Sequence, residues 1–94
     1  MKYKFEWNQK KAKSNRIKHG VSFEEAQSVF DDPLAGIIDD PAHSLGENRF
    51  LIVGMSKNFR LLVISFTERG ESIRIISCRK STTKERKSYE ENYL

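Results

Sequence analysis

The stretch Ser72-Ile-Arg-Ile-Ile-Ser-Cys-Arg-Lys80 begins as an apolar strand and ends on two adjacent cations, Arg79 and Lys80. A hydrophobic core has no use for such a pair at that point. The next residues, Thr82-Thr83-Lys84-Glu85, carry the spacing of a capping box, which opens a helix. The cations therefore stand beside a helix N-terminus, whose unpaired N–H groups and partial positive charge favour anions. The chemistry this suits is phosphate binding. Arg74 lies in the middle of the same strand, and Arg60 on the preceding strand is expected to face the same way. Glu68 and Arg69 fall in the short connection between the two strands, within Glu68-Arg69-Gly70-Glu71. Antiparallel pairing would put that connection at the opposite end of the last strand from Arg79, roughly 20 Å away. Whether Glu68 and Arg79 share one site is thus left open by the sequence.

The elements that must hold these residues are readable from periodicity. Tyr3, Phe5 and Trp7 alternate with Lys4 and Glu6, a half-buried strand pattern. Asn8 can cap a helix running to about Lys18, with Gly20 placed to stop it. Ser22-Phe23-Glu24-Glu25 is a second capping box, flanked by Val21 and Ala26 as a hydrophobic staple. Its helix shows the stripe Phe23, Ala26, Phe30 and ends at Asp31-Asp32-Pro33. After a brief strand at 35–38 and a loop from Asp39 to Asn48, three strands are expected at about 49–55, 59–66 and 72–78. The first pair is joined by Ser56-Lys57-Asn58. Short links favour an antiparallel meander. The middle strand, Phe59-Arg-Leu-Leu-Val-Ile-Ser-Phe66, is apolar on nearly both faces and should lie centrally. The order β-α-α-(β)-β-β-β-α describes an α+β domain: a small antiparallel sheet, made of the meander and the N-terminal strand, with two N-terminal helices packed on it and a C-terminal helix.

With 94 residues, the chain has room for one core and one domain, residues 1–94. No apolar run reaches the ~18 residues of a membrane span, and the N-terminus lacks a signal peptide's apolar stretch. Cys78 is the only cysteine. A disulfide framework is excluded, and a reducing cytoplasm is the expected setting. His19 and His43 are far apart, which excludes a recognisable zinc spacing; no metal or cofactor is expected. The net charge of +4 conceals a pattern: residues 1–20 carry +6, residues 21–47 carry −7 and residues 48–94 carry +5. Basic surfaces suit a polyanion, and the acidic segment suits a basic partner. An unevenly charged solvated surface accounts for the same counts.

Three stretches, Lys18-His-Gly-Val-Ser-Phe-Glu-Glu-Ala-Gln-Ser-Val-Phe-Asp-Asp-Pro33, Thr67-Glu-Arg-Gly-Glu-Ser-Ile-Arg-Ile-Ile-Ser-Cys-Arg-Lys80 and Lys84-Glu-Arg-Lys-Ser-Tyr-Glu90, resemble the BrnT toxins of bacterial BrnT–BrnA toxin–antitoxin systems. The resemblance spans nearly the whole chain. Asn8 stands where the family often has Asp, and Lys80 where some members have Arg. The resemblance implies a RelE-like ribonuclease fold and inhibition of translation by RNA cleavage. It also implies neutralisation by a small BrnA-like antitoxin with a ribbon-helix-helix half, through which the pair would bind operator DNA.

Metal-free RNA cleavage requires the ribose 2′-OH to lose its proton as it attacks phosphorus. The phosphoryl oxygens must be stabilised, and the 5′-oxygen must be neutralised as it leaves. On this basis Glu68 is the candidate base, Arg79 the principal phosphate stabiliser and Lys80 a second stabiliser or proton source. Arg69 and Arg74 would position the backbone, with Arg60, Lys84 and His19 as further RNA contacts. Each has a plainer reading: Arg79 can pair with Glu85, Arg74 with an internal acid, and Glu68 can be a solvated turn residue. The alternative function is a catalytically silent module that binds nucleic acid or antitoxin in operon repression.

Overall fold

The computed structural model describes residues 3–44 and 46–91; Leu45, inside the expected loop, lies outside them. Asn8 starts the first helix by accepting the Lys11 N–H at 3.0 Å, and Gly20 ends it at φ 70°, donating to the Arg16 carbonyl. The elements are β1 (Lys4–Glu6), α1 (Gln9–His19), α2 (Phe23–Ser28), β2 (Gly36–Asp39), β3 (Arg49–Met55), β4 (Leu61–Arg69), β5 (Ser72–Lys80) and α3 (Thr83–Glu91). Single 3-10 turns follow α2 and β2, at Val29–Asp31 and Pro41–His43.

The strands form one sheet in the order β1-β5-β4-β3-β2. The meander β2 to β5 is antiparallel as expected, whereas β1 joins β5 in parallel, Phe5 opposite Ile73 and Glu6 opposite Arg74. β4 is central, and Leu61, Leu62, Val63 and Ile64 are all buried. One sheet face packs beneath α1 and α2: Ile52, Leu62, Ile64, Phe66, Ile73, Ile75 and Cys78 meet Val21, Phe23, Ala26 and Val29 there. Gly54 belongs to this face because a Cβ would lie 2.9 Å from both Ala35 Cβ and Val29 Cγ1. The opposite face is crossed only by α3, which has no buried residue.

Both hairpin boundaries differ from the sequence expectation. β4 continues through Glu68 and Arg69, and Arg69 pairs directly with Ser72. The turn is therefore only Gly70-Glu71, made possible by Gly70 at φ 60°. At the other end Phe59 lies in the turn instead of the strand. Its N–H closes on the Ser56 carbonyl at 3.0 Å, and Ser56 N–H donates to the Arg60 carbonyl.

Asn15 is the one buried residue of α1, and it explains how so polar a helix is fixed. Its amide donates to the carbonyls of Cys78 (2.8 Å) and Val21 (3.0 Å), and its Oδ1 accepts the Cys78 N–H (3.0 Å). β1 covers β5 only as far as Arg74. Beyond that, the Asn15 amide supplies the donor and acceptor that a neighbouring strand would have supplied. Asn15→Leu strands three buried backbone groups and is expected to cost about 2–4 kcal/mol in urea unfolding, whereas an exposed neighbour such as Ser14→Ala should change little.

Candidate functional site

The register of β5 decides which of its side chains share a face. Alternation would put Arg74 and Arg79 on opposite faces, because they are an odd number of residues apart. A bulge intervenes: Ser65 pairs with Ser77 and Phe66 with Ile75, which leaves Ile76 extra. Ile75 and Cys78 consequently both point into the core. Arg74, Ser77 and Arg79 rise together from the face away from α1 and α2, opposite Thr67, Ser65 and Val63 of β4. Arg74 and Arg79 stand roughly 13 Å apart along this row.

A second row crosses the same face. Arg49, Thr67, Arg74 and Glu6 are successive cross-strand neighbours on β3, β4, β5 and β1. Glu6 Oε2 accepts from Arg74 Nη1 at 2.9 Å. Arg69 donates to both oxygens of Glu47, at 3.1 and 3.4 Å. The guanidinium of Arg69, aided by Arg49 and Arg74, holds the Glu47 carboxyl below its ordinary range. Between Arg49 and Arg74, Thr67 Oγ1 is buried with no hydrogen-bond partner among the described residues.

Arg79 makes a bidentate pair with Glu85, Nη1 to Oε1 and Nη2 to Oε2, both at 2.8 Å. Glu85 also closes a complete capping box: it accepts the Thr82 N–H at 2.8 Å while its own N–H donates to Thr82 Oγ1 at 3.1 Å. Arg79 above all, with Thr82, brings the Glu85 carboxyl down to about 2. The second anchor of α3 is Tyr89, whose hydroxyl donates to Asp32 Oδ2 at 2.6 Å.

The expected site residues therefore separate. Arg69, Arg74 and Arg79 share the face that α3 crosses. Glu68 points to the other face, where it borders Tyr3, Phe30, Phe50 and Ile73. Its cross-strand partner Ile73 lies at the far end of β5, and Glu68 is roughly 17 Å along β4 from the residue opposite Arg79. Glu68 and Arg79 do not share a site. Arg60 does not face the same way as Arg74 either, being at the opposite end of the sheet. There its Nε donates to Glu25 Oε2 at 2.9 Å and its Nη2 to Glu25 Oε1 and the Gly20 carbonyl. Glu25 was expected to reach back to the Ser22 N–H. Ser22 Oγ does accept the Glu25 N–H, but the carboxylate turns to Arg60 and to the Ser56 hydroxyl. His19 precedes Gly20 at that same end, on the helix side. Lys80, opposite Leu62, is exposed at the sheet rim, and Lys84 borders an apolar groove between α3 and Gly36, Ile38, Leu51 and Val53. Cys78 is fully buried, and burial pushes its thiol up to about 12, so it is no nucleophile.

Sequence reasoning missed Glu6, Glu47, Arg49 and Thr67. The one available signal was Ile75-Ile76, two adjacent apolar residues that break the alternation of β5 and betray the bulge. No helix among the described residues is long and apolar enough to cross a membrane.

Comparison with known proteins bears on the family and the fold. Residues 7–85 match the family model described as the ribonuclease toxin, BrnT, of type II toxin–antitoxin systems. The 1.1 Å crystal structure of the Brucella abortus ribonuclease toxin BrnT superposes with a TM-score of 0.68 at 20% identity, covering 87% of this chain and 100% of that one. At that identity the likeness is one of fold. A search of curated protein sequences found no match.

Proposed function

Because this chain belongs to the BrnT family of ribonuclease toxins of type II toxin–antitoxin systems, we propose that it is an endoribonuclease that cuts RNA on the sheet face that carries Arg74 and Arg79 and thereby inhibits translation. The observation that carries this reading is the bulge at Ile76, which turns Arg74, Ser77 and Arg79 to one side. Guanidinium groups grip phosphoryl oxygens through paired, charge-assisted hydrogen bonds. Arg79 stabilises the phosphate that is cut, and Arg74, roughly 13 Å along the row, positions a neighbouring one, with Arg69 and Arg49 extending the track. Lys80, opposite Leu62, projects from the other side of the strand to Arg79 and holds substrate at the rim, while water protonates the leaving group. Glu68, on the other face, takes no part, and the 2′-oxygen gives up its proton to water as it attacks phosphorus. The new bond closes a 2′,3′-cyclic phosphate, and the 5′-oxygen departs with a proton.

The Arg74–Glu6 pair is half exposed, and such a pair is worth at most about 1 kcal/mol, so incoming phosphate can compete for Arg74. End-labelled RNA incubated with the purified chain in EDTA is expected to yield fixed fragments ending in cyclic phosphate, and Arg74→Ala should slow this at least about tenfold. Uncut RNA would overturn the reading. A second reading has its own support. Arg60, Arg69, Arg74 and Arg79 are each paired with a carboxylate, as suits a silent binding module. That module would retard RNA without cutting it.

The partner in this proposal is a basic, BrnA-like ribbon-helix-helix antitoxin that carries the pair to operator DNA. The supporting feature is the acidic segment 21–47, which includes the edge strand β2 with exposed Ile37 and Ile38 beside Asp39. Reversing Asp39 and Asp40 to lysine is expected to weaken antitoxin binding by about tenfold or more in calorimetry and to leave RNA cleavage intact.

A further inference from the structure

Phe59 is the most exposed large hydrophobic residue among those described, at 88%. It is also the only described non-glycine residue with positive φ, at 59°. That conformation is unfavourable for a bulky side chain, and glycine would adopt it freely. A buried aromatic could offset the strain by packing, but this ring packs on nothing.

The surroundings of the ring are specific. Phe59 edges an open concavity of about 380 Å³ whose walls include Leu61, Lys80, Thr82 and Arg86. No carboxylate lines it. Arg60, also in its wall, is held by Glu25, but among the described residues Lys80 has no ion pair and Arg86 only a long one, 3.9 Å, to Glu90. The concavity lies at the sheet end where β5 hands over to α3, close to Arg79.

We infer that this concavity is a subsite for one nucleotide of single-stranded RNA, with the base stacked on Phe59 and its phosphate held by Lys80 and Arg86. The inference rests on the RNA-cleaving reading and deepens it by placing a neighbouring nucleotide of the substrate. An aromatic face accepts any base, so the subsite adds affinity with little sequence preference. The cations draw in single strands, whose exposed bases can reach the ring; duplex RNA keeps its bases stacked internally.

Affinity for a fluorescein-labelled, non-cleavable 2′-O-methyl RNA strand tests this by anisotropy. Phe59→Gly is expected to weaken binding about tenfold or more, Phe59→Leu nearly as much, and Phe59→Trp to match or exceed the wild type. Phe59→Gly should meanwhile unfold at equal or higher temperature, because the strain is gone; a packing role would move stability the other way. Lys80→Gln should lower the slope of log affinity against log salt by about 0.7, and Phe59→Gly should leave that slope unchanged. If the wild type binds single strands and Phe59→Gly binds equally well, the subsite is refuted and the RNA reading stands. If Phe59→Gly instead weakens only the antitoxin complex, Phe59 is a protein anchor and the subsite is refuted. If the wild type binds no RNA at all, the subsite and the reading beneath it fall together.

Discussion

Arg79→Ala is expected to lower the rate of RNA cleavage by about 100-fold or more, the scale on which removal of one preorganised donor to a developing oxyanion acts. Its effect on stability should be far smaller. The side chain of Arg79 is 39% exposed, and an ion pair that accessible contributes roughly 1 kcal/mol at most. Comparison with Glu85 separates chemistry from architecture. Glu85→Gln removes the charge that holds Arg79 and weakens the cap on α3, but leaves the guanidinium on the face. If Arg79 serves only to anchor α3, both variants should lose the same stability and neither should change cleavage selectively. If Arg79 grips phosphate, Glu85→Gln should bind RNA as well as the wild type or better, while Arg79→Ala binds poorly. Arg79→Lys should recover only part of the rate, since an ammonium cannot present two parallel donors. Cleavage by Arg79→Ala at the wild-type rate would end the proposal.

The second large effect concerns folding. Glu25→Ala is expected to cost about 2–3 kcal/mol, less than the loss of one member of a fully buried pair because Arg60, left alone, is one-third exposed. The Glu25 side chain is only 5% exposed, and it holds Arg60 and the Ser56 hydroxyl while Arg60 also reaches the Gly20 carbonyl. One carboxylate thus joins α2, the β3–β4 turn and the end of α1. Chiefly through Arg60, and against the opposing pull of burial, its carboxyl is held at about 2. A carboxyl depressed in the folded state stabilises fully above its unfolded value near 4.5. That stabilisation is lost as pH falls from there towards 2. Glu85, also at about 2, adds a contribution of the same sign. Thermal unfolding followed by circular dichroism should show a midpoint that drops steeply below about pH 4.5. Glu25→Ala should start lower and lose less over that interval. An unchanged acid profile in the variant would show that Glu25 does not govern it.

Local signals carried much of this architecture in the sequence. Asn8, Gly20, Ser22, and Thr82 with Glu85 announced four helix ends through local chemistry acting over three or four residues. The apolar run in β4 announced a central strand. Partners distant in the chain were not legible. Nothing near Glu25 says that it belongs to Arg60, 35 positions on. The direction of β1 depends on where a strand at one end of the chain meets one near the other. Phe59 has strong strand propensity, yet the hydrogen bond from its N–H to Ser56 places it in the turn. For the candidate site, residue types were legible and faces were not, because one unpaired residue in β5 reverses the parity of everything after it.

That single insertion makes the outer third of β5 invertible. Were Ile76 instead drawn into the ladder opposite Ser65, every residue after it would slip one place and the strand tip would roll over. Lysine would take arginine's seat against Glu85, and the guanidinium would swing beneath the sheet towards α1. A two-pronged clamp would become a lone ammonium without any change of cation. In this chain the side on which Arg79 stands is set by a residue three places before it.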